Sequence, residues 1–362
     1  MYAAFQHAQF NTNTFHQSKN TLPNDNSICR PLTQIPWKRS LFSKRTFRTH
    51  AVILQSTSGN RMPLPKGSIV ALVTPFNPEP PYEIDVDALK TLLKLHLDAG
   101  TNGLCILGTT GEASVMTMEE RALVINTTVE LCKGTIPILV GCGTIDPNDV
   151  KDQIQQAQQL NADAVMVVTP YYVKPPQRCL VNHFCTAADQ GMPLVVYNVP
   201  GRTGVDCKPE TLAQCLNSHP NIVAVKEATG DVSRIAQIQQ CLTPEAKQTT
   251  LLYSGDDGTT LEFISKGGDG AISVTANVAP RQWQMAINAA LKGDMETAQQ
   301  LNEPINSLHS DLFCEANPIP VKWAMERARL IPSGVCRPPL ASLDPPFFPK
   351  VEAALRQAKL IE

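Results

Sequence analysis

Eight short apolar runs recur along the chain from residue 67 onward, with room for a helix between most neighbours. They read SIVALVTP, GLCILGTTG, IPILVGCG, AVMVVTPYY, PLVVYNVP, IVAVKEATG, LLYSGDD and AISVTANVAP. They are mostly apolar, without the regular alternation of polar and apolar positions except at the end of the last. That is the pattern of parallel strands buried on both faces, not of a half-exposed antiparallel sheet. Between the runs, apolar residues recur at helical spacing. Val86, Leu89, Leu92, Leu93 and Leu97 share one face, and so do Val150, Ile154, Ala157 and Leu160. Eight strands alternating with helices predict an α/β protein with a (β/α)8 TIM barrel. A doubly wound open sheet more often uses fewer strands, and no glycine-rich dinucleotide fingerprint follows the first run. Past Pro280 the segments RQWQMAINAALKG, METAQQLNEPINSLHSDLF and PIPVKWAMERARL continue helically. The expected organisation is therefore a barrel over 62–280 and a C-terminal helical extension over 281–362.

Residues 1–61 follow neither rhythm. They are rich in Ser, Thr and Asn and carry eight Lys/Arg against one acid, Asp25. The formal net charge of −2 thus conceals an acidic remainder of about −9. An acidic body argues against nucleic acid as a partner, and no run reaches membrane-spanning length. Lacking an apolar h-region, residues 1–61 read as an organelle transit peptide, with the plastid stroma preferred and the mitochondrial matrix the alternative. The eleven cysteines form no C-x-x-C pair, which suits free thiols in a reducing compartment.

Sites in barrels of this kind lie at the C-terminal ends of the strands. There the sequence places Thr109 and Thr110 after the second run, Tyr171 and Tyr172 after the fourth, and Tyr197 in the fifth. Lys226 and Glu227 end the sixth, Ser254 to Asp257 the seventh, and Ile272 and Ser273 the eighth. His96, His183, His219 and His309 are far apart with no ligand spacing, so no metal centre is expected. KGGDG, 266–270, precedes the last run and belongs at the opposite face as a structural turn. What remains at the mouth is one lysine and several hydroxyls. Desolvation disfavours the charged form of a lysine, and a neutral amine attacks ketones. Tyr and Thr hydroxyls can relay the protons of such Schiff-base chemistry. Singly, each residue has an ordinary alternative: Lys226 paired with Glu227, Tyr197 a core aromatic, Thr109 and Thr110 a tight turn. Together on one mouth they favour catalysis.

The motifs GTTGE, VTPYY, YNVPGRTG, KEATG, SGDD and GAISVTANVAP, in this order and spacing, resemble the dihydrodipicolinate synthase family of class I aldolase-like lyases. NPIPVKWA, 317–324, resembles its bacterial branch. The resemblance implies that Lys226 forms an imine with pyruvate, and that Tyr197 transfers protons through a relay with Thr109 and Tyr172. It implies that Tyr172 reaches the site across a dimer interface, and that Thr110 and the backbone around Ile272 hold the pyruvate carboxylate. Arg202 would clamp the carboxylate of the second substrate, L-aspartate 4-semialdehyde. It further implies a homotetramer built from tight dimers, no cofactor, and a place in diaminopimelate and lysine biosynthesis. A 4-hydroxy-2-oxoglutarate aldolase is the rival enzyme, and a non-catalytic pyruvate-binding barrel the rival of another class. Lysine-inhibited members bind lysine at positions that read Met118, Arg121, Ile145 and Asp149 here, beside Tyr171. Only Asp149 keeps the chemistry of those sites, so weak or absent inhibition by lysine is expected.

Overall fold

The structure, a computed structural model, describes residues 61–362; apart from Arg61, the expected leader lies outside the described residues. Each of the eight apolar runs supplies one strand: β1 Gly67–Ala71, β2 Gly103–Ile106, β3 Ile138–Gly141, β4 Ala164–Val168, β5 Leu194–Asn198, β6 Ile222–Glu227, β7 Leu251–Ser254 and β8 Gly270–Ser273. They pair in chain order as a closed parallel barrel, with β8 returning to β1. Along each strand alternate residues face opposite ways. Ile69, Leu139, Met166, Val195, Tyr253 and Ile272 fill the barrel, while Val70, Leu104, Val140, Val165 and Val225 join the larger core between strands and helices. Burial on both faces is why the strands show no regular alternation.

The helix Val86–Ala99 begins where the Asp85 side chain accepts from the N–H of Ala88 and ends at Gly100, φ 75°. The helix Met118–Cys132 opens with a capping box formed by Thr117 and Glu120. Helices Pro147–Gln159, Gln177–Ala188, Pro209–Ser218, Arg234–Cys241 and Thr260–Ser265 continue the ring. Helix Pro280–Leu291 packs against β1 and against helix Val86–Ala99, and so supplies the eighth helix. This helix, expected in the C-terminal extension, buries Trp283 and Ile287 and packs both on the barrel layer and on helix Met295–Asn302. Beyond it, helix Leu308–Asp311 reaches the loop after β7 and helix Ile319–Arg327 the loop after β8. That brings residues 313 and 317 over the mouth of the barrel.

Candidate active site

Lys226 is the fifth residue of β6 and points inward, opposite Tyr197 of β5 in register. It is only 5% exposed. Its Nζ lies 4.4 Å from the centre of the Tyr197 ring. Adjacent Glu227 faces the other way and pairs with Arg234 instead, at 3.0 Å. The simple alternative of a Lys226–Glu227 ion pair is thereby removed, because neighbours in a strand cannot face each other. Gly255, after β7, makes room for the amine: a Cβ there would lie 2.9 Å from Cε of Lys226 and 2.6 Å from Cβ of Ala228. Nearby Cys105 is fully buried, and burial pushes its thiol up to about 11 despite the positive charge of Lys226. It is an inert neighbour, not a competing nucleophile.

A cavity of about 200 Å³ surrounds this amine, and its wall includes Thr109, Thr110, Tyr197, Arg202, Lys226, Asp256 and Asn317. Thr109 and Thr110 sit on a loop bounded by Leu107 and Glu112, both in the left-handed region at φ 55°. Such residues persist only where their surroundings hold them. Here Glu112 is held by a fully buried Lys322, Nζ to Oε1 2.7 Å, and by the N–H of Arg337 at 2.9 Å. Thr110 Oγ1 accepts from Asn317 Nδ2 at 2.9 Å, across 207 residues of sequence. The Asn317 carbonyl in turn accepts from Arg202 Nη2 at 3.4 Å. Asn317 and Asp256 were given no role by sequence reasoning. Asp256 stands in the strand-end inventory, but Asn317 reaches the mouth only through the C-terminal region, which no strand-end rule anticipates.

Five of the expected residues therefore converge: Lys226, Tyr197, Thr109, Thr110 and Arg202. Two do not. Tyr172 is 85% exposed on the single chain, turned outward at φ 69°. Ile272 is buried inside the barrel, while Val274 lines the cavity. A second cavity of about 370 Å³ shares Thr109, Tyr197 and Arg202 with the first and reaches Arg121 and Tyr171. Its lining includes neither an acidic residue nor Met118, Ile145 or Asp149. The KGGDG turn sits at the other end of the barrel, where Asp269 accepts from the N–H of Leu252 at 2.9 Å. Among the described residues no cluster of potential metal ligands occurs.

Residues 64–358 match the model of the dihydrodipicolinate synthetase family. The chain belongs to that family. It is 43% identical over 296 residues to the 4-hydroxy-tetrahydrodipicolinate synthase of Laribacter hongkongensis, covering 82% of this chain and 99% of that one. Among solved structures it resembles the chloride-inhibited dihydrodipicolinate synthase from Acinetobacter baumannii complexed with pyruvate, at 41% identity and TM-score 0.76, covering 82% and 99% of the two chains. It also resembles the Cyanidioschyzon merolae enzyme with lysine bound, at 31% identity and TM-score 0.77, covering 82% and 99%. As a dihydrodipicolinate synthetase family member the chain is a class I aldolase-type lyase that forms a Schiff base with pyruvate.

Proposed function

We propose that this site condenses pyruvate with L-aspartate 4-semialdehyde, and that Lys226 is the residue that carries the imine. The supporting observation is the Lys226 amine itself: buried, without an acid partner among the described residues, and beside Tyr197 in a cavity. Its Nζ attacks the ketone carbon of pyruvate, and loss of water from the carbinolamine gives the imine. Removal of a methyl proton gives the enamine, whose carbon bonds to the aldehyde carbon. The amino group of the second substrate then attacks the imine carbon and displaces Lys226, closing the ring of 4-hydroxy-tetrahydrodipicolinate. Tyr197 and Thr109 move the protons, joined by Tyr172 supplied from a partner subunit; the outward position of Tyr172 fits that role. Thr110 and the backbone around Ile272 hold the pyruvate carboxylate. Arg202 binds the carboxylate of the semialdehyde. Asp256, the one acid among the residues lining this cavity, is the candidate partner of that substrate's amino group, although its Oδ2 also accepts from Thr259. No step requires a cofactor. The assembly in this reading is a homotetramer, a dimer of dimers.

Borohydride reduction in the presence of pyruvate tests the assignment. It should fix a pyruvyl-derived mass on Lys226, and Lys226→Arg should abolish it because a guanidinium stays charged. An adduct mapped to another lysine refutes it. Residues 1–61, basic and nearly free of acids, are proposed as a transit peptide for the plastid stroma, with the mitochondrial matrix as the alternative. A reporter fused to them that stays in the cytosol would overturn that reading.

A further inference from the structure

Each of the two side chains that meet beside the cavity is followed by a polar residue on a strand buried on both faces: Asn198 after Tyr197, Glu227 after Lys226. The register sets Tyr197 opposite Lys226 and Asn198 opposite Glu227. Asn198 and Glu227 therefore face outward together, into a layer otherwise filled by apolar side chains. Asn198 Nδ2 donates to Glu227 Oε2 at 3.2 Å and to Asp206 Oδ1 at 2.9 Å, and its Oδ1 accepts from the N–H of Cys207 at 2.9 Å. Arg234 joins these groups. Its Nε donates to Glu227 at 3.0 Å, its two terminal nitrogens to Asp206 at 3.1 and 3.0 Å, and Nη2 also to the Cys207 carbonyl at 2.7 Å. Asn198 is fully buried, Glu227 4% exposed and Arg234 8% exposed.

We infer that this network, centred on Arg234, fixes the position of the Lys226 amine relative to the Tyr197 phenol, making Arg234 a positioning residue for imine formation. The inference rests on the assignment of Lys226 above. The physical case is one of leverage. Glu227 and Lys226 share a backbone unit, as do Asn198 and Tyr197, so a clamp on the outer pair holds the inner pair. A planar guanidinium donates in fixed directions to two carboxylates at once, whereas the rotatable donors of a lysine ammonium impose no such geometry. Burying so many polar groups is a poor route to stability alone, since apolar residues of similar volume often serve as well. Burial pushes the Glu227 carboxyl up, against the pull of Arg234, Asn198 and Thr229. Loss of Arg234 would therefore release the outer pair and let the inner one drift. A displacement of about 1 Å in reacting groups can cost roughly 10²-fold in rate.

The test uses the full-length enzyme and measures the rate at which borohydride-trappable adduct appears with pyruvate in a single turnover. Wild type is read first, and absence of adduct at Lys226 there refutes the functional assignment, not the positioning role. Arg234→Ala should then form the adduct roughly 10²-fold more slowly, with the KM for the semialdehyde little changed. Guanidinium ion at millimolar concentration should restore part of the rate through the gap, because Asp206 keeps its side chain partly open to solvent, at 37%. Arg234→Lys should not restore it. A wild-type trapping rate in folded Arg234→Ala overturns the inference, and so does guanidinium that raises the unfolding temperature without raising the rate. If Arg234→Ala does not fold, Asn198→Ser and Glu227→Gln are read in the same way, and wild-type trapping rates in both overturn it.

Discussion

Replacing Lys322 with methionine should destabilise the protein more than any surface change, and the size of the loss follows from its surroundings. Its side chain is fully buried, its Nζ is 2.7 Å from Oε1 of Glu112, and the Glu112 side chain is 2% exposed. Nζ also lies 4.2 Å from the centre of the Phe76 ring. Methionine fills similar volume but leaves Glu112 buried with only the Arg337 N–H as a polar partner, at 2.9 Å. Breaking one side of a buried pair costs about 3–5 kcal/mol, a large part of the roughly 5–15 kcal/mol that holds a domain folded. Lys322→Met combined with Glu112→Gln should recover most of that loss, since the amide keeps an acceptor for Arg337 and no charge is stranded. Urea unfolding at neutral pH, followed by circular dichroism, measures both variants. A deficit under about 1 kcal/mol for Lys322→Met, the scale of an ordinary surface ion pair, would refute the reasoning. So would a double variant no more stable than the single one. Because Glu112 closes the loop that carries Thr109 and Thr110, the single variant should also lose activity while still folded.

Other expectations rest on separate features. Tyr197→Phe keeps the ring beside Lys226 and removes the hydroxyl, so turnover should fall by about 10²-fold or more; a loss below tenfold in steady-state assays would assign the proton transfers elsewhere. Arg202→Ala and Asp256→Asn should each raise the KM for the semialdehyde and leave that for pyruvate less changed, and equal effects on both substrates would count against either as a clamp. His96 is fully buried with Nδ1 at 2.9 Å from Thr101 Oγ1, and burial lowers it to about 4. The unfolded chain then takes up the proton first, so stability present above pH 6.5 is lost as pH falls toward 4, by about 3 kcal/mol. His96→Gln should reduce that slope in urea midpoints measured across the range, the rest coming from His183 and His309, which burial also lowers; an unchanged slope would exclude His96 as a source. Lysine should inhibit weakly or not at all, since no acid lines the larger cavity to meet its ammonium groups; half-inhibition at micromolar lysine in a dose–response would show that an acceptor set has been overlooked.

The strands were legible because burial on both faces leaves a mark: runs such as IVALV, AVMVV and IVAV have few other homes in a chain of this length, and the shorter ones fall on the same spacing. The mouth was legible too, since a polar residue ending such a run, as Lys226 does, has to face something. The packing of helix Pro280–Leu291 on β1 was not legible, because this helix has the same periodicity as the helices beyond it and periodicity does not say which surface a helix covers. Asn317 escaped for a related reason: its bond to Thr110 spans 207 residues, and nothing local marks it. The Arg234 network left a signal that could have been read. Asn198 and Glu227, polar and outward-facing on doubly buried strands, required partners, and a nearby arginine was available.

The seam between β1 and β8 has a consequence for how the chain comes to be folded at all. Gly67 pairs with Gly270, and Asn277 fastens the join by donating to the carbonyl of Ala71 at 2.8 Å and accepting from the N–H of Val73 at 3.0 Å. Both sides of the seam therefore come from opposite ends of the barrel sequence, and bringing them together costs on the order of 5 kcal/mol of loop-closure entropy. Until β8 has been synthesised, β1 and the last strand already formed are open edges, each a row of unpaired backbone groups that invites pairing with another chain. Vectorial synthesis thus holds this protein in its most adhesive state for most of its length, and completion of one four-residue strand, Gly270–Ser273, ends that state. Truncation just before Gly270 should accordingly yield a chain that aggregates in light scattering, whereas one that runs past Leu291, and so keeps the helix over β1, should already close the ring of strands.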